Sequence, residues 1–180
     1  MKIKKCIYLI GFMASGKSTV GKLLADSLGF LFMDIDSIIE KKEGAPIFEL
    51  FQQKGEKYFR ESESSELKDL VPDDNTEGMV ISTGGGLPCN PENLAFMKGH
   101  GILVYLKTGI DDIIQRIGDI SKRPVFQGLM QNGKLRKSVE RLLTEREKYY
   151  NQADIIVTNS NKVKPETAAE QIMKKIQTLK

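Results

Sequence analysis

One stretch of this chain constrains its fold more than any other: Gly11-Phe12-Met13-Ala14-Ser15-Gly16-Lys17-Ser18-Thr19. It fits the phosphate-loop pattern G-x-x-x-x-G-K-[ST], and its surroundings supply the context that the pattern needs. The apolar run Ile7-Tyr8-Leu9-Ile10 before it reads as a buried strand. After it, Val20, Leu23, Leu24 and Leu28 recur on one helical face, and Gly29 stops the helix. A strand, a glycine loop and a helix in that order aim backbone N–H groups and the positive end of the helix dipole at one point, where an anion is favoured. Lys17 adds a mobile positive charge, and Ser18 offers a hydroxyl oxygen of the kind Mg²⁺ prefers. The alternative, a glycine-rich turn with no ligand, is disfavoured by the complete pattern in this setting.

Four further apolar runs follow the first, which covers residues 5–10. They lie at 30–33, 79–83, 102–106 and 154–158. They are short and continuous rather than alternating, as strands covered on both faces should be. Helical patterns separate them, so a five-stranded parallel sheet wrapped by helices is expected. Its ligands should lie beyond the carboxyl ends of the strands. Residues 36–70 are too many for one crossover helix and are divided by Pro46 and Gly55, which suggests a small substrate-binding insertion. Residues 118–133, with Lys122, Arg123, Pro124, Gly128 and Asn132, form a connection long enough to suggest a mobile lid. Residues 164–179 read as an amphipathic helix covering the sheet, and the whole of 1–180 as a single domain.

Composition narrows the classes. The chain has 180 residues, 40% hydrophobic and 28% charged, with a net charge of +3 that is too small to argue for nucleic acid. No apolar run approaches the roughly 18 residues of a membrane span. The basic start resembles the beginning of a signal peptide, but the phosphate loop cuts the apolar stretch short, so a strand is expected there. Cys6 and Cys89 make neither a disulfide framework nor a metal cluster, and His100 is the single histidine. A cytoplasmic enzyme is expected, with no nucleic-acid or membrane partner and, lacking an apolar surface stripe, a monomer.

Several residues carry candidate chemistry. Asp34 and Asp36 are read as the end of the second strand, two apart and therefore on one face, towards the phosphate loop. One could hold the water shell of Mg²⁺ and the other accept a hydrogen bond from a substrate hydroxyl. Alternatively Asp36 caps the helix that begins at Ser37. Ser82-Thr83-Gly84-Gly85-Gly86 closes the third strand. Three glycines carry an entropic cost, which close approach of a ligand to backbone N–H groups would explain, and a flexible turn is the other reading. Thr83 is expected to bond the Mg²⁺ water shell. Arg60 and Glu63 share a helical face. With Arg116, Arg123 and Arg146, Arg60 offers guanidinium forks suited to carboxylate or phosphate.

Taken together these marks resemble the shikimate kinase family. They are the loop from Gly11 to Thr19, Asp34-Ile35-Asp36, Phe59-Arg60-Glu61, Ser82-Thr83-Gly84-Gly85-Gly86, Lys122-Arg123-Pro124 and Glu145-Arg146. They fall in the family's order across nearly the full chain. The resemblance implies a P-loop NTPase-like three-layer α/β/α fold with a helical substrate insertion and a mobile lid. It implies transfer of phosphate from ATP to the 3-hydroxyl of shikimate, a step towards chorismate and the aromatic amino acids. It further implies that Gly11, Ala14, Ser15, Gly16, Lys17, Ser18 and Thr19 bind the ATP phosphates and that Arg116 lies near adenine. Ser18 and Asp34 would serve Mg²⁺. Asp36 would hold the reacting hydroxyl. Arg60, Gly84, Gly85, Gly86 and Arg146 would hold shikimate, with Glu63 orienting Arg60. Lys17, Asp36 and Arg123 would carry catalysis, Arg123 arriving with the lid.

Departures from the family pattern are visible. Ala14 stands where the family usually has glycine, which is tolerable at negative φ and a problem otherwise. Val125-Phe126 follow Arg123-Pro124 where leucines are common. Lys148 replaces a proline after the helix arginine, which leaves Arg141 as a rival to Arg146. Other readings remain open: a kinase for another polyol acid such as gluconate, a nucleoside monophosphate kinase, or an idle nucleotide-binding module. A GTP switch is disfavoured, because Thr158-Asn159-Ser160-Asn161 lacks the N-K-x-D guanine signature.

Overall fold

The computed structural model describes residues 6–71, 77–117 and 135–179. Within them five strands form one parallel sheet: β1 Cys6–Ile10, β2 Leu31–Asp34, β3 Met79–Ser82, β4 Gly101–Lys107 and β5 Ile155–Thr158. Their order across the sheet is β2-β3-β1-β4-β5. Each lies within two residues of where the apolar runs put it. β1 is buried along its whole length, and the reason is visible in the packing. Cys6, Tyr8 and Ile10 face one core, whereas Ile7 and Leu9 face another. A period of two on a doubly covered strand gives a continuous apolar run.

The second core layer joins the sheet to two helices, α1 (Lys17–Leu28) and the C-terminal helix α7 (Pro165–Thr178). Helix α1 ends as the sequence predicts, with Gly29 in the left-handed region at φ 67°. Gly21 lets this helix approach the sheet closely, since a Cβ there would sit 2.6 Å from the Phe32 ring. The first layer is covered by α2 (Ile35–Glu43), α3 (Ile47–Asp69), α4 (Pro91–His100), α5 (Ile110–Ile117) and α6 (Leu135–Tyr150). Helices on both faces of the parallel sheet give the expected three-layer α/β architecture.

The insertion between β2 and β3 is helical. Gly44 closes α2 in the left-handed region, Pro46 caps α3, and Gly55 (φ 82°, ψ 167°) breaks α3 into two arms. The breakers are thus those read from sequence, but the element before Pro46 starts earlier than expected, directly at Ile35. The connection expected as a lid, 118–133, lies outside the described residues. None of the described helices is long and apolar enough to cross a membrane.

Because β1 is central, its pairing fixes where the phosphate loop emerges. Cys6 pairs with Gly101 of β4 and with Met79 of β3. A Cβ on Gly101 would lie 2.5 Å from the Cys6 carbonyl oxygen, a backbone atom that cannot move aside. Gly101→Ala is therefore expected to destabilise the protein by about 2 kcal/mol through overpacking. A urea transition with a lower midpoint and unchanged slope would show it; an unshifted midpoint would mean the two strands separate there without cost.

Candidate active site

The loop between β1 and α1 wraps its own lysine. Gly16 is the cap residue of α1 at φ 89°, and Lys17 is the first helical residue. Lys17 is buried, and its Nζ donates to the carbonyls of Gly11 (3.0 Å) and Phe12 (2.9 Å). Gly11 is required sterically: at φ 144° a Cβ would meet the Leu106 carbonyl oxygen at 2.8 Å. Gly11 and Ser15 are buried and shape the loop from behind. Ala14, Gly16, Lys17, Ser18 and Thr19 present surface to an open cavity of about 870 Å³. Ala14 falls on the unfavourable side of the sequence expectation. Its φ is 60°, the left-handed region, where a Cβ costs about 1–2 kcal/mol.

The acidic pair converges on the cavity by a route other than strand alternation. Asp34 ends β2, whereas Asp36 lies in the first turn of α2. The expectation that both sit on one strand is corrected, and so is the alternative that Asp36 caps the helix. Asp34 is the cap, its Oδ1 accepting from the Ser37 N–H at 3.2 Å. Its other oxygen, Oδ2, accepts from Ser18 Oγ at 2.6 Å, which joins the loop to the end of β2. Strand and helix meet so tightly here that the helix begins at Ile35, before Asp36 could extend the strand.

Asp36 is held among charges from several elements. Burial pushes its carboxyl up to about 6. Asp34 and Glu40 reinforce this, and Lys17 and Arg60 oppose it. Glu63 is 1% exposed, and burial raises it to about 7 even though Arg60 and Arg146 pull the other way. Its Oε2 accepts from Arg60 Nη1 at 2.6 Å. The second oxygen of each acid, Asp36 Oδ1 and Glu63 Oε1, is buried without a hydrogen-bond partner. Buried acceptors left in this condition are costly, so the arrangement favours an incoming donor.

The three glycines after β3 have a steric reason that the sequence does not show. A Cβ on Gly84 would fall onto Glu63 Oε1, with Asp36 Oδ1 at 3.0 Å. One on Gly86 would lie 2.6 Å from Arg60 Nη1, and one on Gly85 would be crowded chiefly by the Met13 backbone nitrogen at 3.2 Å. Gly84 and Gly86 admit the protein's own charged groups. Thr83 borders the cavity, and its buried hydroxyl donates to the Leu9 carbonyl at 3.0 Å, which leaves the oxygen able to accept. Arg146 lines the cavity, its guanidinium lying 5.7 Å from the centre of the Phe12 ring. Its rival Arg141 is 78% exposed and pairs with Glu145 at 3.8 Å on the surface of the same helix.

Arg116 reaches the rim of the cavity but is engaged as a brace. It donates to Asn161 Oδ1 (2.7 Å) and to the carbonyls of Ala14 (3.3 Å) and Asn159 (3.0 Å). Arg123 lies outside the described residues. Two contributors escaped the sequence reading. Tyr150, one turn beyond Arg146, donates its buried hydroxyl to the Gly85 carbonyl at 2.6 Å. Asn159, at the carboxyl end of β5, donates from Nδ2 to the Ser15 carbonyl at 2.7 Å. The rule that ligands gather at that edge could have flagged Asn159. For Cys89, burial pushes the thiol up, away from a reactive thiolate.

Ser18 and Asp34 also suit Mg²⁺. They are two oxygen donors already in contact beside the loop, and Mg²⁺ is commonly bound by few protein groups together with water and phosphate oxygens. No cluster of three or more acidic, histidine or cysteine ligands exists among the described residues, so a cage made entirely of protein is not what they offer.

Comparison with known proteins gives a consistent result. The family model described as shikimate kinase matches residues 13–177. A shikimate kinase of a Sulfurihydrogenibium species is 42% identical over 172 residues, covering 96% of this chain and 98% of the relative. The crystal structure of shikimate kinase from Aquifex aeolicus is 40% identical, with a TM-score of 0.78 and 96% of each chain covered. Shikimate kinase from Acinetobacter baumannii, solved in complex with shikimate, is 34% identical, with a TM-score of 0.86 and 99% and 97% of the two chains covered.

Glu63 sets a pH dependence in the ligand-free protein. Its folded-state carboxyl titrates near 7, above the value of about 4.3 for an unfolded glutamate. The folded state therefore binds more protons between these values, and the Glu63 contribution to stability falls as pH rises through that window. Melting curves from pH 5 to 8 should show the wild type losing stability relative to Glu63→Gln as pH increases. A constant difference between the two proteins across this range would refute the assignment.

Proposed function

The chain belongs to the shikimate kinase family, an enzyme family of ATP-dependent phosphorylation of shikimate, and we propose that this cavity delivers the phosphoryl group to the 3-hydroxyl. The observation that carries the proposal is convergence. Lys17 and Ser18 from the phosphate loop, Asp36 from α2, Arg60 and Glu63 from α3, the Gly84–Gly86 turn and Arg146 from α6 all border the same cavity beyond the carboxyl ends of the strands.

The loop and the first turn of α1 receive the ATP phosphates through backbone N–H groups, and Lys17 exchanges its loop carbonyls for phosphate oxygens. Arg116 borders the nucleotide near adenine. Arg60 and Arg146 grip the shikimate carboxylate, as planar guanidinium groups do best. Glu63 fixes the Arg60 fork, which leaves shikimate with its hydroxyls towards Asp36. Asp36 Oδ1, buried and lacking a partner, accepts the hydrogen bond of the reacting hydroxyl and aligns it with the γ-phosphorus. It takes the proton as the bond to phosphorus forms and the bond to the ADP oxygen breaks. Phosphoryl transfer asks a protein chiefly for such positioning and charge compensation. Lys17 provides the compensation, joined by Arg123 of the expected lid. Mg²⁺ held at Ser18 and Asp34 would neutralise phosphate charge. A cytoplasmic, monomeric enzyme completes the proposal.

A coupled ADP-release assay tests this, run with shikimate and with gluconate, each with and without Mg²⁺. Turnover is expected only with shikimate and Mg²⁺. Phosphorus NMR of the product should show the phosphate coupled to the proton on C3. Release with gluconate instead would transfer the cavity to another polyol acid. Asp36→Asn should lower kcat by about a hundredfold or more while ADP still binds; an unaltered kcat would remove Asp36 from the chemistry. Arg60→Lys should weaken shikimate binding about tenfold, since lysine cannot form the two parallel bonds. Calorimetry giving equal affinity would place the carboxylate elsewhere.

A further inference from the structure

Asn159 is buried at the end of β5 and takes no part in the chemistry just described. Its surroundings give it a task. Its backbone N–H donates to the Lys107 carbonyl at 2.8 Å. Its carbonyl accepts from Thr108 Oγ1 at 3.1 Å and from Arg116 Nη2 at 3.0 Å. The residue is thus anchored to the end of β4 and to α5 through its backbone, which leaves the side chain to reach outwards. Nδ2 donates to the Ser15 carbonyl at 2.7 Å. Arg116, itself fixed by Asn161 Oδ1 at 2.7 Å, donates to the preceding carbonyl, that of Ala14, at 3.3 Å. Two consecutive carbonyls of the phosphate loop are therefore gripped from outside.

This grip has two consequences. A peptide unit is planar, with C=O and N–H pointing in opposite directions. Tying the Ser15 carbonyl to Asn159 consequently turns the Gly16 N–H the other way, towards the cavity that Gly16 lines. The closeness is such that Gly16 tolerates no side chain, since a Cβ there would lie 2.7 Å from Asn159 Nδ2. The second consequence concerns Ala14, held at φ 60°. A non-glycine residue stays in this region only where its neighbours over-determine it. The bonds on either side of the Ala14–Ser15 segment supply that constraint.

We propose that Asn159 is a positioning residue for the nucleotide: with Arg116 it holds the strained phosphate loop in its anion-binding shape before any nucleotide arrives. The proposal rests on the reading that this loop receives the ATP phosphates. Without the Asn159 amide, Ala14 relaxes towards negative φ and the Gly16 N–H leaves its aim. Nucleotide binding then has to restore both, and affinity falls by the cost of restoring them.

The test is calorimetric titration of the full chain with MgADP and, separately, with shikimate. It compares the wild type, Asn159→Ala, Ala14→Gly and the double variant. Wild-type binding of MgADP is measured first, so failure of the phosphate-loop reading shows there and is not confused with failure of the Asn159 proposal. Asn159→Ala is expected to weaken MgADP about tenfold, the worth of one buried hydrogen bond. Shikimate affinity should stay within about twofold, as for an independent site. In kinetics the KM for ATP should rise while kcat at saturating ATP holds, because bound ATP restores the loop. In the Ala14→Gly background the loss should shrink by about half or more, since glycine needs no holding in the left-handed region. Unchanged MgADP affinity would overturn the proposal. So would equal losses for both ligands, which signify a general structural defect, and so would an identical loss in both backgrounds. Should Asn159→Ala yield no folded protein, Asn159→Ser carries the same expectations, its hydroxyl being too short to reach the Ser15 carbonyl.

Discussion

The Leu9 carbonyl is the point on which the rest of this site depends. It accepts from both the N–H and the hydroxyl of Thr83, at 3.1 Å and 3.0 Å. Two residues further along, at Gly11, the phosphate loop begins, and one residue beyond Thr83 the glycine turn begins. The paired bonds therefore lock the roots of two loops together at the carboxyl edge of the sheet. In the proposed function one loop holds nucleotide phosphates, and the other borders the acids and arginines that meet shikimate. Phosphoryl transfer tolerates little error in alignment, so fixing the roots of both loops to each other matters for any chemistry across them.

Around that junction the chain concentrates charge that it cannot fully compensate from within. Asp34, Asp36, Glu40 and Glu63 face Lys17, Arg60 and Arg146 across a half-enclosed space, and two acid oxygens remain without donors. The glycine turn makes this density possible. With side chains at 84 and 86, Glu63 and Arg60 could not lie against the backbone. Their pairing would move into the cavity and fill the volume a substrate needs. The entropic cost of three glycines thus serves the packing of charged side chains, and the opening that results is what a ligand meets.

Much of this was legible in the sequence, for identifiable reasons. The strands could be read because a doubly covered parallel strand must be apolar throughout, as β1 is. The phosphate loop could be read because its glycines answer to left-handed or crowded positions, Gly11 and Gly16 among them. Other features were out of reach. Asp36 was placed on a strand because a spacing of two suggests alternation, and only tertiary packing decides that α2 begins at Ile35. The bond from Thr83 to Leu9 spans 74 residues of sequence, which no local pattern records. Asn159 entered the sequence reading only within a stretch that lacks a guanine signature, since its partner Ser15 is 144 residues away. Gly84–Gly86 was recognised as a place of close approach, but what approaches is mostly the protein itself.

The same features tie function to stability. A carboxylate buried with one oxygen unpaired, like Glu63, and an alanine held at positive φ, like Ala14, both lower the stability of the empty protein. Ala14 keeps its conformation because Asn159, which grips the next carbonyl, is itself anchored through its backbone to the end of β4. Asn159 is anchored through β4 and β5, and Thr83 through β1. A rigid parallel sheet can carry such a local cost at its carboxyl edge, since relaxing Ala14 would mean breaking the bonds that Arg116 and Asn159 make to the loop carbonyls. A ligand that donates to Asp36, or that occupies the gripped phosphate loop, recovers part of the cost as binding free energy. By this physical route the strained edge of the sheet becomes selective for the molecules that complete it.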